Sequence, residues 1–314
     1  APHEDVARLT FFALFALQHR GQESAGIAAT DGKKLQVHAG MGLVSQVFDE
    51  DSLSQLTGDI AIGHNRYSTR GSSQIKNAQP IVVGRGSRAI AIAHNGNIVN
   101  ADKILKNMSK IELSSTTDTE IIAWAIANNN KKTIIDKIKS AMPLFEGAYS
   151  IVMLTKDKLI AFRDPLVIRP LSIGKYNGST VICSETCALD TIGAKYVRDV
   201  KTREIIIVDK NGLKSFQTST SNKKGFCLFE YVYLARPDSI LNKELVHQVR
   251  QRSGELLSYE SPIAADLVMA IPDSGTSAAI GYSKASGIPF AEGLMKNRYI
   301  GRTFISPDQR IREM

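Results

Sequence analysis

Apolar residues recur every three or four positions between residues 5 and 17, at Val6, Leu9, Phe12, Phe15 and Ala16. That spacing predicts a helix with one apolar stripe. The period then shortens. Apolar runs at 26–29, 35–39, 60–63, 81–83 and 89–93, several parted by Gly and Asp turns, predict short strands. Helical patterns follow at 119–128, led by Asp118, and at 134–142. Strand-like runs return at 149–154, 159–162, 181–184 and 205–208. Strands, two helices and strands again predict two sheets with helices packed on them, an α+β sandwich.

A polar stretch without period, residues 218–224 (Thr-Ser-Thr-Ser-Asn-Lys-Lys), reads as a linker between a first domain at 1–217 and a second at 225–314. Beyond it, 243–257 reads as a helix, 266–271 as a buried apolar strand, 272–276 as a turn and 277–286 as a helix. Strand, glycine-bearing turn and helix open a parallel α/β unit. A stretch of about 90 residues is short for that fold, so the second domain reads as C-terminally incomplete. The chain also starts at Ala1 without an initiator Met, and both ends look cut.

Composition narrows the function. The chain of 314 residues is 43% hydrophobic and 22% charged, which excludes wholesale disorder and supports sizeable cores. Lys and Arg number 39 against 31 Asp and Glu, a net charge of +8. The excess favours an anionic ligand. Its scatter argues against nucleic acid, since the one dense basic stretch, 296–312, is interrupted by Gly, Pro and Asp. Three cysteines, Cys183, Cys187 and Cys227, are too few for a disulfide framework and fit a reducing cytoplasm. Cys183 and Cys187 lack His neighbours at zinc spacing and read as buried small apolar residues. No apolar run of about 18 residues predicts a membrane span. The opening Ala-Pro-His-Glu-Asp has neither the basic start nor the cleavage motif of a signal peptide.

Candidate chemistry gathers in four clusters: His19-Arg20-Gly21-Gln22, His64-Asn65-Arg66-Tyr67-Ser68-Thr69, His94-Asn95-Gly96-Asn97 and Thr117-Asp118-Thr119-Glu120. Three positions in them have two readings each. Asn95-Gly96 between β-type runs suits a type I′ hairpin turn. It equally suits an oxyanion hole, with the Asn amide and the Gly N–H aimed at one developing negative oxygen. Asp118 suits a helix N-cap or a carboxylate for a ligand ammonium. Arg66 suits a surface ion pair or a bidentate clamp on a carboxylate. The second readings together describe a site for a free α-amino acid. A nucleophile is still needed, and no Ser or Cys sits in a Gly-x-Ser-x-Gly elbow.

The four clusters are similar to those of class II glutamine amidotransferases. The run Leu17-Gln18-His19-Arg20-Gly21-Gln22-Glu23-Ser24-Ala25-Gly26-Ile27 resembles the amidophosphoribosyltransferase family in particular. That resemblance implies an α+β N-terminal-nucleophile (αββα sandwich) glutaminase domain, followed by the beginning of an α/β type I phosphoribosyltransferase domain. It implies glutamine held by Arg66, Thr69, Asp118 and Gly96, with Asn95 and Gly96 as the oxyanion hole. The family's nucleophile is a cysteine at the mature N-terminus. Its own α-amine, with a pKa of about 8, serves as base near working pH. The cysteine is not in this sequence, so a chain truly beginning at Ala1 is expected not to hydrolyse glutamine.

The second domain tests the likeness. Val268-Met269-Ala270-Ile271-Pro272-Asp273-Ser274-Gly275-Thr276-Ser277 reads as strand, turn and helix, and such a helix start can hold an anion. An ordinary strand–helix turn reads the same way. In the family this is the pyrophosphate loop, which implies Asp273, Ser274, Gly275 and Thr276 beside a diphosphate and Ser274 near Mg2+. Lys296-Asn297-Arg298-Tyr299-Ile300-Gly301-Arg302-Thr303-Phe304 resembles the family's flexible loop, with Lys296, Arg298, Tyr299 and Arg302 over the phosphoribosyl group. A solvated basic loop is the plain alternative. The family's Asp-Asp pair before a Gly-Thr-Thr turn, source of magnesium-binding carboxylates, is not in the sequence. Cys227 stands where some family members place the first ligand of a [4Fe–4S] cluster. One cysteine cannot hold a cluster, and a plain buried Cys is the alternative.

The activity implied is hydrolysis of glutamine and transfer of its ammonia to 5-phosphoribosyl 1-diphosphate. The products are 5-phosphoribosylamine, glutamate and diphosphate, in the first step of purine biosynthesis. Purine nucleotides as feedback inhibitors and a homo-oligomer are implied with it. Two rivals stay open: another class II synthase, making glucosamine phosphate or asparagine, and a nucleophile-less regulatory paralogue.

Overall fold

The computed structural model describes residues 5–67, 71–108, 111–218, 225–297 and 302. The helix α1 (Val6–Ala16) starts at Asp5, whose carboxylate accepts the Arg8 N–H. β1 (Ser24–Thr30) and β2 (Leu35–Met41) form a hairpin. The short helices α2 (Val44–Val47) and α3 (Glu50–Gln55) lead to β3 (Ile60–Arg66), which pairs with β1. β4 (Ile81–Val83) and β5 (Ile90–Ile98) precede three helices, α4 (Ala101–Lys106), α5 (Asp118–Ala127) and α6 (Ile134–Ala141). β6 (Gly147–Leu154) and β7 (Leu159–Arg163) then extend the sheet of β5. β8 (Ser172–Tyr176), β9 (Ser179–Cys183), α7 (Thr186–Thr191) and β10 (Lys195–Asp199) build a separate small sheet and its helix. β11 (Glu204–Asp209) and β12 (Gly212–Gln217) complete the large sheet, ordered β12-β11-β7-β6-β5-β4.

Side-chain alternation sets the layers. Ile90 and Ile92 of β5 join Ile121, Ile122 and Ile126 of α5 in one core. Ala91 and Ala93, between them in sequence, meet Ala28 and Ile62 of β1 and β3 in another. Small residues on that face let two sheets pack closely. The facing layer holds two three-stranded sheets, β2-β1-β3 and β10-β8-β9. α1 covers the first through Ala7 and Leu14, and α7 packs on the second through Cys187 and Leu189. The result is the αββα order. Cys183 and Cys187 are both buried, as their sequence context predicts.

Among the described residues, β3 and β9 are edge strands, and both line one largely apolar cleft of about 540 Å³. The cleft runs from the β1–β2 turn at Asp31 to Asn95 and Ser184. α1 lies over it with Val6, Leu9 and Ala13, followed by Leu17 just past the helix.

After Gly225 the chain makes a π-helical turn at Glu230–Leu234. β13 (Ile240–Leu241) and β14 (Glu244–Leu245) then form a tight hairpin around Asn242 and Lys243, both at positive φ (50° and 71°) as a type I′ turn requires. That turn delays the next helix, so α8 (Val246–Glu260) begins and ends three residues later than its periodicity predicts. α9 (Thr276–Ser286) crosses α8 where Gly254 and Gly281 let the backbones touch. A Cβ at either would fall 1.8 or 1.9 Å from the other helix's carbonyl oxygen. The buried strand predicted at 266–271 is not formed. Val268 makes one parallel bridge to Phe290, and Leu267, Met269 and Ile271 are 49%, 50% and 77% exposed. A parallel strand needs partners along its edges and cover on both faces, and the described residues supply one bridge. Of the predicted linker, only Thr218 is described. No helix among the described residues is long and apolar enough to cross a membrane.

Candidate active site

β5 carries the centre of the site. Asn95 and Gly96 form no hairpin turn; they lie inside β5, opposite Ser150 and Tyr149 of β6. Gly96 has φ +153°, and a Cβ there would fall 1.9 Å from the Ala148 carbonyl oxygen. Only glycine fits, which leaves this strand bare enough for a ligand to reach its backbone. Beside it, the Asn95 Nδ2 is buried without a hydrogen-bond partner among the described residues. An orphaned buried donor costs about 1–3 kcal/mol. A ligand acceptor would remove that cost.

Asp118 is not an N-cap. Thr117 holds that position, and Asp118 is the first residue of α5. Its Oδ2 accepts the Ile98 N–H at 2.8 Å, which ties the helix start to the end of β5. Arg66, the last residue of β3, is not in a surface pair either. It is 3% exposed and ion-paired with Glu23, itself 4% exposed. Burial lowers the Arg66 pKa, and nearby Asp118 works against that shift.

Arg66, Asp118, Asn95 and Gly96 line a single cavity of about 200 Å³. Pockets for drug-sized ligands run from about 300 Å³ upward, so this one suits a molecule of amino-acid size. Thr69, the fourth glutamine contact implied by the resemblance, lies outside the described residues. His64 and His94 also border the cavity. Lost hydration pushes the His64 pKa down to about 3, with His94 adding to the shift. This carries a pH prediction. A folded pKa below the unfolded value of about 6.5 means that the unfolded chain takes the proton first. The His64 contribution is therefore complete above pH 6.5 and is lost as pH falls from there toward 3. In urea unfolding, a His64→Gln variant is expected to lose less stability than the parent between pH 6.5 and about 4.

The opposite wall is ionic. Arg20 donates to Glu185 and reaches both Glu230 carboxylate oxygens, at 2.9 and 2.8 Å. Glu185 is fully buried and also takes His19 Nε2, the Arg236 N–H and the Ser239 hydroxyl, at 2.8, 2.9 and 2.8 Å. Burial raises its pKa, but Arg20 and His19 outweigh that and hold the carboxyl well below the usual range. Glu230 takes Arg169 as well, at 3.1 Å. Arg20 and Arg169 border the cavity, with Phe229, Tyr233 and Leu234 from beyond the linker. The sequence reading assigned no role to this network. A signal was present for Glu230, a single carboxylate inside the apolar run 226–235, since a carboxylate there needs a buried cation.

The remaining predicted positions are placed elsewhere. Asp273, Ser274, Gly275 and Thr276 do not line the amino-acid cavity. Asp273 is exposed and pairs with Lys296 at 2.7 Å, so the turn and the basic stretch meet. Ser274 and Gly275 border a separate cavity of about 680 Å³ with Phe226 and Tyr231. Arg302 donates to the carbonyls of His19, Tyr233 and Leu234 and sits 4.7 Å over the Tyr233 ring. Arg298 and Tyr299 lie outside the described residues. Cys227 is partly buried, with its Sγ 3.9 Å from Arg169 Nη1. Among the described residues, no three His, Cys, Asp or Glu side chains gather to hold a metal ion.

Known proteins resemble this chain in sequence and fold. A glutamine amidotransferase domain family matches residues 64–191. Amidophosphoribosyltransferase of Synechocystis sp. is 50% identical over all of this chain and 65% of its own length. That of Bacillus subtilis is 44% identical over 99% of this chain and 66% of its own. The chain thus spans about two thirds of the length of these curated relatives. A solved structure described as the allosteric regulatory enzyme of purine biosynthesis superposes with a TM-score of 0.90 at 44% identity, over 99% of this chain and 68% of that one. Glutamine phosphoribosylpyrophosphate amidotransferase from B. subtilis, solved with ADP and GMP, gives 0.89 at 43%, with the same coverage. This chain belongs to the amidophosphoribosyltransferase family.

Proposed function

We propose that this chain binds glutamine and that the protein it belongs to transfers the released ammonia to 5-phosphoribosyl 1-diphosphate. The products are 5-phosphoribosylamine, glutamate and diphosphate. One observation carries the reading: Arg66, Asp118, Asn95 and Gly96 converge on one small cavity. Arg66 takes the α-carboxylate and Asp118 the ammonium. Asn95 Nδ2 and Gly96 then face the amide oxygen, where charge develops on attack.

The cleft between β3 and β9 accounts for the nucleophile. Both edges can pair with an inserted strand, and the cleft reaches His64, Asn95 and Ser184, which also border the amino-acid cavity. Of α1, Leu14 borders the amino-acid cavity and Val6 does not, while both line the cleft. The resemblance implies a cysteine at the mature N-terminus, and the proposal sets it beside Asn95. A cysteine there attacks the amide carbon, and its own α-amine takes the thiol proton. The C–S bond forms, the C–N bond breaks, and that proton leaves with ammonia. Water then cleaves the thioester to glutamate. Phe229, Tyr233 and Leu234 give ammonia an apolar exit wall toward the second domain.

Magnesium and an iron–sulfur cluster rest on the resemblance alone. Ser274 would offer one oxygen to a magnesium ion, and Cys227 would offer one thiolate of the four that a cluster takes. No step above runs through either. Purine-nucleotide binding is extended to this chain from the relative solved with ADP and GMP. A homo-oligomer and a cytoplasmic setting are proposed from the resemblance.

The test uses the protein with a Cys-Gly start and follows glutamate release. Asp118→Asn is expected to raise the glutamine KM about 10- to 100-fold, the worth of one charged hydrogen bond. An unchanged KM removes Asp118 from the ammonium clamp.

A further inference from the structure

We propose that His94 is a positioning residue that fixes Asp118 for the ligand's α-ammonium, so that one imidazole joins the ammonium clamp to the oxyanion strand. The inference rests on the glutamine reading above and adds a residue to it. His94 lies mid-strand in β5, 3% exposed, and borders the amino-acid cavity. Gln79 Oε1 accepts its backbone N–H at 2.8 Å, which anchors the strand at this residue.

The ring touches both halves of the site. Nδ1 faces the first turn of α5, 3.4 Å from Thr119 Oγ1 and 3.8 Å from Asp118 Oδ2. Nε2 lies against Gly96, 2.8 Å from where a Cβ of residue 96 would stand, and the ring also meets the Ala148 carbonyl. Asp118 Oδ2 is thus approached by the ring on one side and bound by the Ile98 N–H on another. That arrangement leaves Oδ1 to the ligand. Burial lowers the His94 pKa, and Asp118 opposes the shift. A neutral ring can buttress Asp118 without competing with the ligand for its charge. A cation at the same place would cancel the clamp.

The test compares two probes by calorimetry on the full-length protein with its N-terminal thiol replaced by serine, the background of the wild type and variants below, so that neither probe is cleaved: glutamine, and 4-carbamoylbutanoate, which is glutamine without its α-amino group. The wild type is expected to prefer glutamine. His94→Phe keeps the ring and removes both nitrogens. It is expected to weaken glutamine about tenfold, as misplacement of a binding group does, while 4-carbamoylbutanoate binds within about twofold of wild type. His94→Asn, whose amide reaches the Nδ1 position, is expected to restore the preference. Equal weakening of both probes by His94→Phe, or no weakening, overturns the proposal. Should His94→Phe not fold, His94→Gln replaces it under the same criteria, since its amide reaches Nε2 and not Nδ1. A wild type that binds neither probe overturns the glutamine reading itself. A wild type that prefers glutamine beside an indifferent His94→Phe overturns only the role of His94.

Discussion

Replacing Arg20 by alanine is expected to destabilise the protein by about 3–5 kcal/mol, the cost of stranding buried charges. Exposed ion pairs contribute about 0–1 kcal/mol. Arg20 differs because its side chain is 10% exposed and its partners, Glu185 and Glu230, are 0% and 3% exposed. The substitution leaves two carboxylates short of a cation. Arg20→Lys should recover only part of the loss, since an ammonium cannot reach both carboxylates with the planar fork of a guanidinium. The pH dependence gives the sign. In the parent, the depressed Glu185 pKa contributes stability that is complete above the unfolded carboxylate value and is lost as pH falls toward the folded one. The variant has less of this to lose, so its deficit should shrink below about pH 4.5. Urea unfolding across pH measures both effects. A deficit under about 1 kcal/mol at neutral pH would show that the network contributes no more than an exposed ion pair.

The second large effect falls on chemistry. With the Cys-initiated protein, Asn95→Ala is expected to lower kcat for glutamine hydrolysis about 10²- to 10³-fold, the usual cost of one oxyanion-hole donor. The glutamine KM should change little, because the amide donor acts where charge develops. Stability should also change little, because Nδ2 has no partner to lose among the described residues. A raised KM with an intact kcat would make Asn95 a ground-state contact instead.

Regular elements were legible where apolar residues run together between turns. β4 appears in the pattern at its observed residues, 81–83. β5 was read only to Ala93, although it runs to Ile98. Its polar stretch His94-Asn95-Gly96 borders a cavity rather than a core. The same cause hid the place of Asp118: a carboxylate before a helix looks like a cap, and here it answers a neighbouring strand. The Arg20 network was not legible. Arg20 stands 165 positions from Glu185 and 210 from Glu230, and no periodic rule chooses partners at that range. Residues 266–271 carry a strand's apolar pattern, yet a strand forms only against neighbours. The convergence of Arg66, Asp118, Asn95 and Gly96, by contrast, matches what residue chemistry suggested. Arg, Asp and Asn-Gly in separate clusters each match one end of a zwitterionic amide, and folding brings all three to one cavity.

The most direct measurement is a crystal structure of the Cys-initiated protein with its thiol replaced by serine and glutamine soaked in. The expected density puts the α-carboxylate about 3 Å from Arg66, the ammonium about 3 Å from Asp118 and the amide oxygen at Asn95 Nδ2. Glutamine bound away from these three groups, or reversed so that its amide meets Arg66, would contradict the account.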